Sequence, residues 1–459
     1  MKKIQAMLAI TVMAGVMLSL SSCETCKDGH AETMKVYSNI VEPTCTEEGS
    51  KTETVHCAIC YEEISSKKVS VEPTGHLLED GRCLICGEAD PAFNLSIKIN
   101  ADGTGYEILS VGGFNESILV IPEEYSGKNI VAIADGAFEN CAFLKTVVLP
   151  THMTSIGAGA FKNCTSLKEV YMSNSISMVG EGAFEGCDSL KYNEYGNNDF
   201  SIRYLGNENN PYLVLVDCGE YKGSKTTSEP KIHSNTRVIA GGAFEGVLKL
   251  TAVSVPDSVV YICQRAFAGC EDLVTVKLGK TVACIDTAAF ENCYQLTYFS
   301  MGNSVSRIGE DAFRNCIDLA EINLSTAITS INSGTFYNCK DLTSIKIPSS
   351  VESIGGCAFE NCVSLSSVDF GKSLVEIGYR AFYGCEKLST VKTPSTLISV
   401  GDSAFECCQS LTNVTLNNGL LSLGERAFGH CESLTEITIP ESVEFVGENC
   451  FAYCPIVTE

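Results

Sequence analysis

Tryptophan is absent from the chain, and histidine occurs only six times in 459 residues. The first absence removes the side chain that most often anchors a protein interface. The second leaves little material for acid–base chemistry. Beyond residue 92 the histidines are His152, His233 and His430, and none stands in a motif pairing it with a catalytic Ser or Cys. Positive charge is scarce as well: 32 Lys and Arg face 56 Asp and Glu, a formal charge of −24. Phosphate backbones repel such a chain, which argues against nucleic acid as a partner. No phosphate-binding Gly-Lys-Ser/Thr loop occurs, and Gly157-Ala158-Gly159 leads into no long helix, so a dinucleotide site is not indicated. After residue 20 no apolar run approaches the roughly 18 residues of a membrane-spanning helix. No catalytic grouping emerges, and nothing marks a small-molecule substrate or a cofactor needed for function.

Cysteine is what the chain does contain, 25 times, and position decides its meaning. The start of the chain is the first case. Lys2 and Lys3 precede an apolar run from Ile4 to Leu20, followed by Leu20-Ser21-Ser22-Cys23. The run is short for a spanning helix and has the layout of an export signal over residues 1–22. Leu-Ser-Ser-Cys resembles the bacterial lipobox, which implies that Cys23 becomes the lipid-bearing N-terminus and tethers the chain to a membrane. An ordinary secretory signal with an incidental Cys is the other reading.

A second pattern governs most of the remainder. Phe138, Phe161 and Phe184 lie 23 residues apart, and ten more run at the same step from Phe244 to Phe451. A fixed period in the twenties signals a solenoid, in which each coil is too small to bury its own apolar face and stacks on its neighbours. Leu342-Thr343-Ser344-Ile345-Lys346-Ile347-Pro348 alternates as a half-buried strand does. Val351, Ile354 and Gly355 then give a second short extended piece. Ala358-Phe359 and Cys362 mark a short helical or irregular turn that closes on the core. At about 4.8 Å per coil, about thirteen coils of short parallel strands make a stack roughly 60 Å long.

The pattern L-x-x-I-x-I-P-x-x-V-x-x-I-G-x-x-A-F-x-x-C resembles the leucine-rich repeats of the BspA-like bacterial surface proteins. The resemblance covers residues 93–459 and implies a leucine-rich-repeat solenoid displayed at a cell surface. It further implies adhesion to an extracellular protein or glycan. Gly103–Ile133 reads as a degenerate first coil that caps the core. Between Phe184 and Phe244 the step is 60 residues, and the excess, around 191–236, reads as a hairpin insertion.

Twelve cysteines share one register of the repeat, from Cys141 through Cys316 and Cys339 to Cys454. There they should point inward as small hydrophobes. Stacked Cβ atoms one strand spacing apart, with parallel vectors, suit a disulfide poorly, so free buried thiols are expected. Residues 23–92 differ. They hold His30, His56 and His76 and two CxxC pairs, Cys57/Cys60 and Cys83/Cys86. Two such pairs resemble a zinc ribbon, with four thiolates around one structural Zn²⁺. Disulfides or a redox dithiol are the alternatives in an exported chain.

Each repeat strand also carries one exposed position before its last core residue. That column reads Val148, Tyr171, Ser254, Lys277, Ser300, Asn323, Lys346, Asp369, Lys392, Thr415 and Thr438. It is mixed and mostly small, so no binding residue can be singled out, and a long shallow face suits a macromolecule better than a small ligand. The sequence thus points to an exported, lipid-anchored interaction protein that is not an enzyme. A structural spacer in the envelope is the alternative, with a thiol-redox or zinc-module role behind it.

Overall fold

In a computed structural model, residues 33–41, 49–57, 63–71, 78–79, 82–83, 95–197, 200–219 and 229–456 are described. The chain divides into two compact units, Met1–Phe93 and Asn94–Glu459. Cys23, Cys60 and Cys86 lie outside the described residues. Cys57 ends one strand of the first unit and Cys83 ends another, with their side chains outside the described set.

The first unit holds an antiparallel three-stranded sheet of Thr33–Val41, Gly49–Cys57 and Glu63–Val71. Lys35 and Lys67 flank the mostly buried Glu53 of the central strand at 3.1 and 3.5 Å. Lys35 holds its carboxyl below the usual range.

The second unit is a parallel β-solenoid, and no helix occurs among its described residues. Interior coils supply a three-residue strand such as Ser344–Lys346 and a two-residue strand such as Ser353–Ile354. Most such strands pair with a counterpart 23 residues away, as Ile345 does with Val368 and Ile354 with Ile377. The Ala-Phe segment is a turn rather than a helical piece, and it stacks too. Phe313 N–H donates to the Thr335 carbonyl at 2.9 Å, and Phe336 N–H to that of Ala358 at 2.8 Å. Backbone groups that a turn would leave to solvent are thus paired between coils.

Side chains explain why this coil closes. The repeat phenylalanines are buried, apart from the half-buried Phe451 of the last coil, and within each block they stack face to face. Ring centroids are 5.0 Å apart for Phe359–Phe382 and 5.2 Å for Phe382–Phe405, nearly parallel. The turn needs two left-handed residues per coil. One precedes the cysteine, as at Asn315 (φ 59°), Asn338 (60°) and Asn361 (60°), where Asn or Gly tolerates the conformation best. The other lies four residues earlier, for example at Gly334 (φ 62°). The asparagines also bond to one another: Asn315 Nδ2 donates to Asn292 Oδ1, and Asn338 Nδ2 to Asn315 Oδ1, both at 2.8 Å.

The insertion is a three-stranded meander, Asn193–Gly196, Ser201–Leu205 and Val214–Asp217, rather than a hairpin. Its third strand turns parallel and joins the solenoid beside Val238–Ile239. The same device opens the solenoid. Ser96–Ile99 pairs antiparallel with Tyr106–Ser110, which then runs parallel to Lys128–Ile133. The correspondence reaches single bonds. Ala134 N–H donates to the Ile108 carbonyl and Ala240 N–H to that of Leu215; Val111 N–H donates to Ala137 and Cys218 N–H to Ala243. A basic–acidic cross-strand pair recurs as well, Lys98–Glu107 at 3.1 Å and Arg203–Asp217 at 2.7 Å. The insertion is therefore a second start. Two blocks of coils, each begun by its own capping hairpin, meet at a seam between the Phe184 and Phe244 coils.

Candidate interaction surfaces

The repeat cysteines are free thiols, and the ladder they form explains their register. The Phe313 carbonyl accepts the Cys316 N–H of its own coil and, at 3.2 Å, the Cys339 thiol of the next. Cys316 does the same to Phe290 and Cys362 to Phe336, each at 3.2 Å. One side chain fills a small apolar site and supplies the weak donor that saturates a buried carbonyl. Burial pushes the Cys270 and Cys362 thiols up to about 12, so they are poor nucleophiles. Cys454, only partly buried at the last rung, is pulled below the usual thiol range by its neighbour Cys431.

The His233 ring stacks on Tyr212 at 3.8 Å and meets Tyr195 edge-on, and burial lowers its pKa. His430 occupies a left-handed slot (φ 58°) and stacks on Tyr453. Among the described residues no group of three or more Cys, His, Asp and Glu is arranged to hold a metal.

The outer column expected from the repeat is at the surface: Lys277, Asn323, Lys346, Asp369 and Lys392 are exposed, while Val148 and Ser300 are half-buried. A feature that sequence reasoning missed is a cleft of about 670 Å³ at the seam. Phe184, Cys187 and Leu190 end the first block on one side of it, and Val216, Cys218 and Ala243 begin the second on the other. The blocks touch elsewhere. Gly241 N–H donates to the Val179 carbonyl at 2.7 Å, and Met172 N–H to that of Gly206 at 3.1 Å. A Cβ on Gly241 would lie 2.5 Å from the Glu181 backbone nitrogen, so only glycine permits this approach. Arg265 of the second block bonds Glu245 and Glu291 and reaches Glu181 of the first at 3.4 Å. Burial, then the Glu245 charge, raises the Glu181 carboxyl above its usual range. Among the described residues, the cleft lining carries Glu185, Asp188, Glu194, Asp217 and Glu245 against the single cation Arg203. A signal for the seam does exist in the chain: Ser201-Ile202-Arg203 repeats Ser96-Ile97-Lys98, and Val247 replaces the ladder cysteine where no Phe carbonyl precedes it.

Among solved structures, a leucine-rich repeat protein of Bacteroides ovatus is 23% identical, with a TM-score of 0.45, covering 79% of this chain and 91% of that one. A leucine rich cell surface protein of Faecalibacterium prausnitzii is 24% identical, with a TM-score of 0.34 and coverages of 78% and 93%. A leucine-rich repeat protein of Eubacterium ventriosum is 20% identical, with a TM-score of 0.42 and coverages of 80% and 95%. No curated protein matches the chain. The family described as BspA type leucine rich repeat region (six copies) matches residues 122–210, 237–362 and 329–458, more than half of the sequence. The chain belongs to the BspA-type leucine-rich-repeat family.

Proposed function

We propose that this is an exported, surface-displayed interaction protein, lipid-anchored to a bacterial membrane, whose solenoid adheres to an extracellular protein or glycan, and that it is not an enzyme. The observation that carries the reading is the division of labour within the coil. Phe, Cys and the aliphatic residues repeat with little change inside, while the outer column changes from Lys277 to Asn323 to Asp369. A skin free to vary over a fixed interior suits recognition of a large partner by many small contacts. Residues 1–22 supply the export signal and Cys23 the lipid-bearing terminus. Cys57, Cys60, Cys83 and Cys86 hold a structural Zn²⁺ in the N-terminal unit.

The test is capture of extracellular proteins and glycans by residues 94–459, with the same segment unfolded as control. Specific capture is expected, and its absence across host matrix and bacterial surface fractions contradicts the reading. Mass spectrometry of the mature N-terminus should find Cys23 acylated; an unmodified thiol removes the anchor. Metal analysis of the purified chain should find one zinc, and a metal-free folded N-terminal unit removes that site.

A further inference from the structure

The two-residue strands carry, one residue before each, a side chain on the outer surface of the solenoid. In the earlier coils this column is polar, as at Thr154, Ser177, Arg237, Ser306 and Thr329, or half-buried, as at Val260 and Ala283. The hydroxyls of Thr154, Ser177 and Ser306 donate to a carbonyl of the preceding coil, at 3.0, 3.1 and 3.3 Å. In three consecutive later coils the column turns apolar. Val375, Ile398 and Leu421 are 38%, 43% and 41% exposed. They make no such bond and sit on interior coils, with strands paired on both sides, Ile354–Ile377–Val400–Leu423–Val446. The same column is closed by a carboxylate at each end, Glu352 and Glu444, and Glu376 stands beside Val375 in the strand. Of the cations nearby, Arg380 is paired with Glu360 and Arg426 with Glu406, leaving Lys372 at the adjoining corner.

We propose that the Val375–Ile398–Leu421 stripe is a docking face for a basic amphipathic polypeptide segment, its apolar side chains on the stripe and its Lys or Arg on the flanking carboxylates. Charge complementarity selects this occupant. A second copy of the chain would set carboxylates against carboxylates, and an anionic membrane would be repelled for the same reason. The other apolar residues at this register, Val131, Val260 and Ala283, are half-buried, so three consecutive exposed apolar side chains are particular to these coils and not a by-product of the fold. This inference rests on the reading of the chain as an interaction protein and assigns one of its faces.

The test uses the full chain and a short peptide built from leucine and lysine, with a leucine–glutamate peptide as control, in calorimetric titration. Val375→Ser, Ile398→Ser and Leu421→Ser together should weaken the leucine–lysine peptide roughly thirtyfold, because about half of three apolar side chains is no longer buried. Glu376→Gln with Glu444→Gln should flatten the salt dependence. Thr275→Ser, Ser344→Ala and Thr390→Ser on the other strand row should leave affinity within twofold. All these positions are exposed, and unchanged thermal melting verifies folding. Stripe variants that bind within twofold, or equal binding of the glutamate peptide, overturn the proposal. So does a loss of self-association, or of phosphatidylcholine vesicle binding, caused by the stripe variants. Capture of an extracellular partner that the stripe variants leave intact overturns this face and leaves the general function standing.

Discussion

The coils before the seam and those after it are built alike and begin alike, but they end differently. The first block stacks Phe138, Phe161 and Phe184 and then stops against a cleft. The second stacks ten phenylalanines without a gap from Phe244 to Phe451. In the second block a buried carbonyl such as that of Phe313 meets a thiol from the next coil. Past Phe184 the slot three residues after the next Phe holds Val247 instead. Repetition alone therefore does not make the core continuous. Continuity requires that each coil present the next with the groups it expects, and a capping hairpin presents its own backbone edge instead.

The largest expected effect comes from the middle of the second block. Phe336→Ala should cost about 3–5 kcal/mol, because rings above and below hold the cavity open. Phe184→Ala, with a cleft already beside it, should cost roughly half as much; paired denaturant titrations give both values. Gly241→Val should come next, at about 1–3 kcal/mol, since its Cβ meets the Glu181 backbone. Calorimetry should then resolve two transitions where the parent shows one, as the blocks part. A smaller effect is expected at the left-handed slots. Asn338→Val should cost about 1–2 kcal/mol more than Asn338→Gly, because both lose the bond to Asn315 and only the former strains φ at 60°. Smallest in energy but clear in readout is the thiol ladder. Alkylation of the native chain should label the partly exposed Cys454 well before Cys316, Cys339 and Cys362, which should react only after denaturation.

Much of this was legible in the chain. The 23-residue step of the phenylalanines gave the coil, the alternation Thr343-Ser344-Ile345-Lys346-Ile347 gave its strand, and the cysteine register gave inward free thiols. The ladder itself was not legible, because the accepting Phe carbonyl lies 26 residues back and only the closed coil brings it within reach. The left-handed slots were half visible as recurrent Asn and Gly. Arg265, Ala288, Arg380 and Ser403 hide the second column, because stacking in those coils outweighs the local penalty. The second start was read as an insertion for a similar reason. Its strands pair out of the repeat register, and its likeness to residues 96–111 resides in hydrogen bonds more than in residue types. The cleft is an absence of contact, and no single residue encodes it. In the N-terminal unit, cysteines drew attention from Lys35, Glu53 and Lys67, whose alignment needs three strands side by side.

Native-state hydrogen exchange reports most directly on two cap-and-stack blocks joined at a seam. The amides of Phe290, Phe313 and Phe336, each bonded to the next coil, should exchange together at the slowest rate, and those of Met172 and Gly241, which bridge the blocks, measurably sooner. Bridging amides as slow as those of the second block's middle coils would contradict the division and make residues 94–459 a single uninterrupted stack.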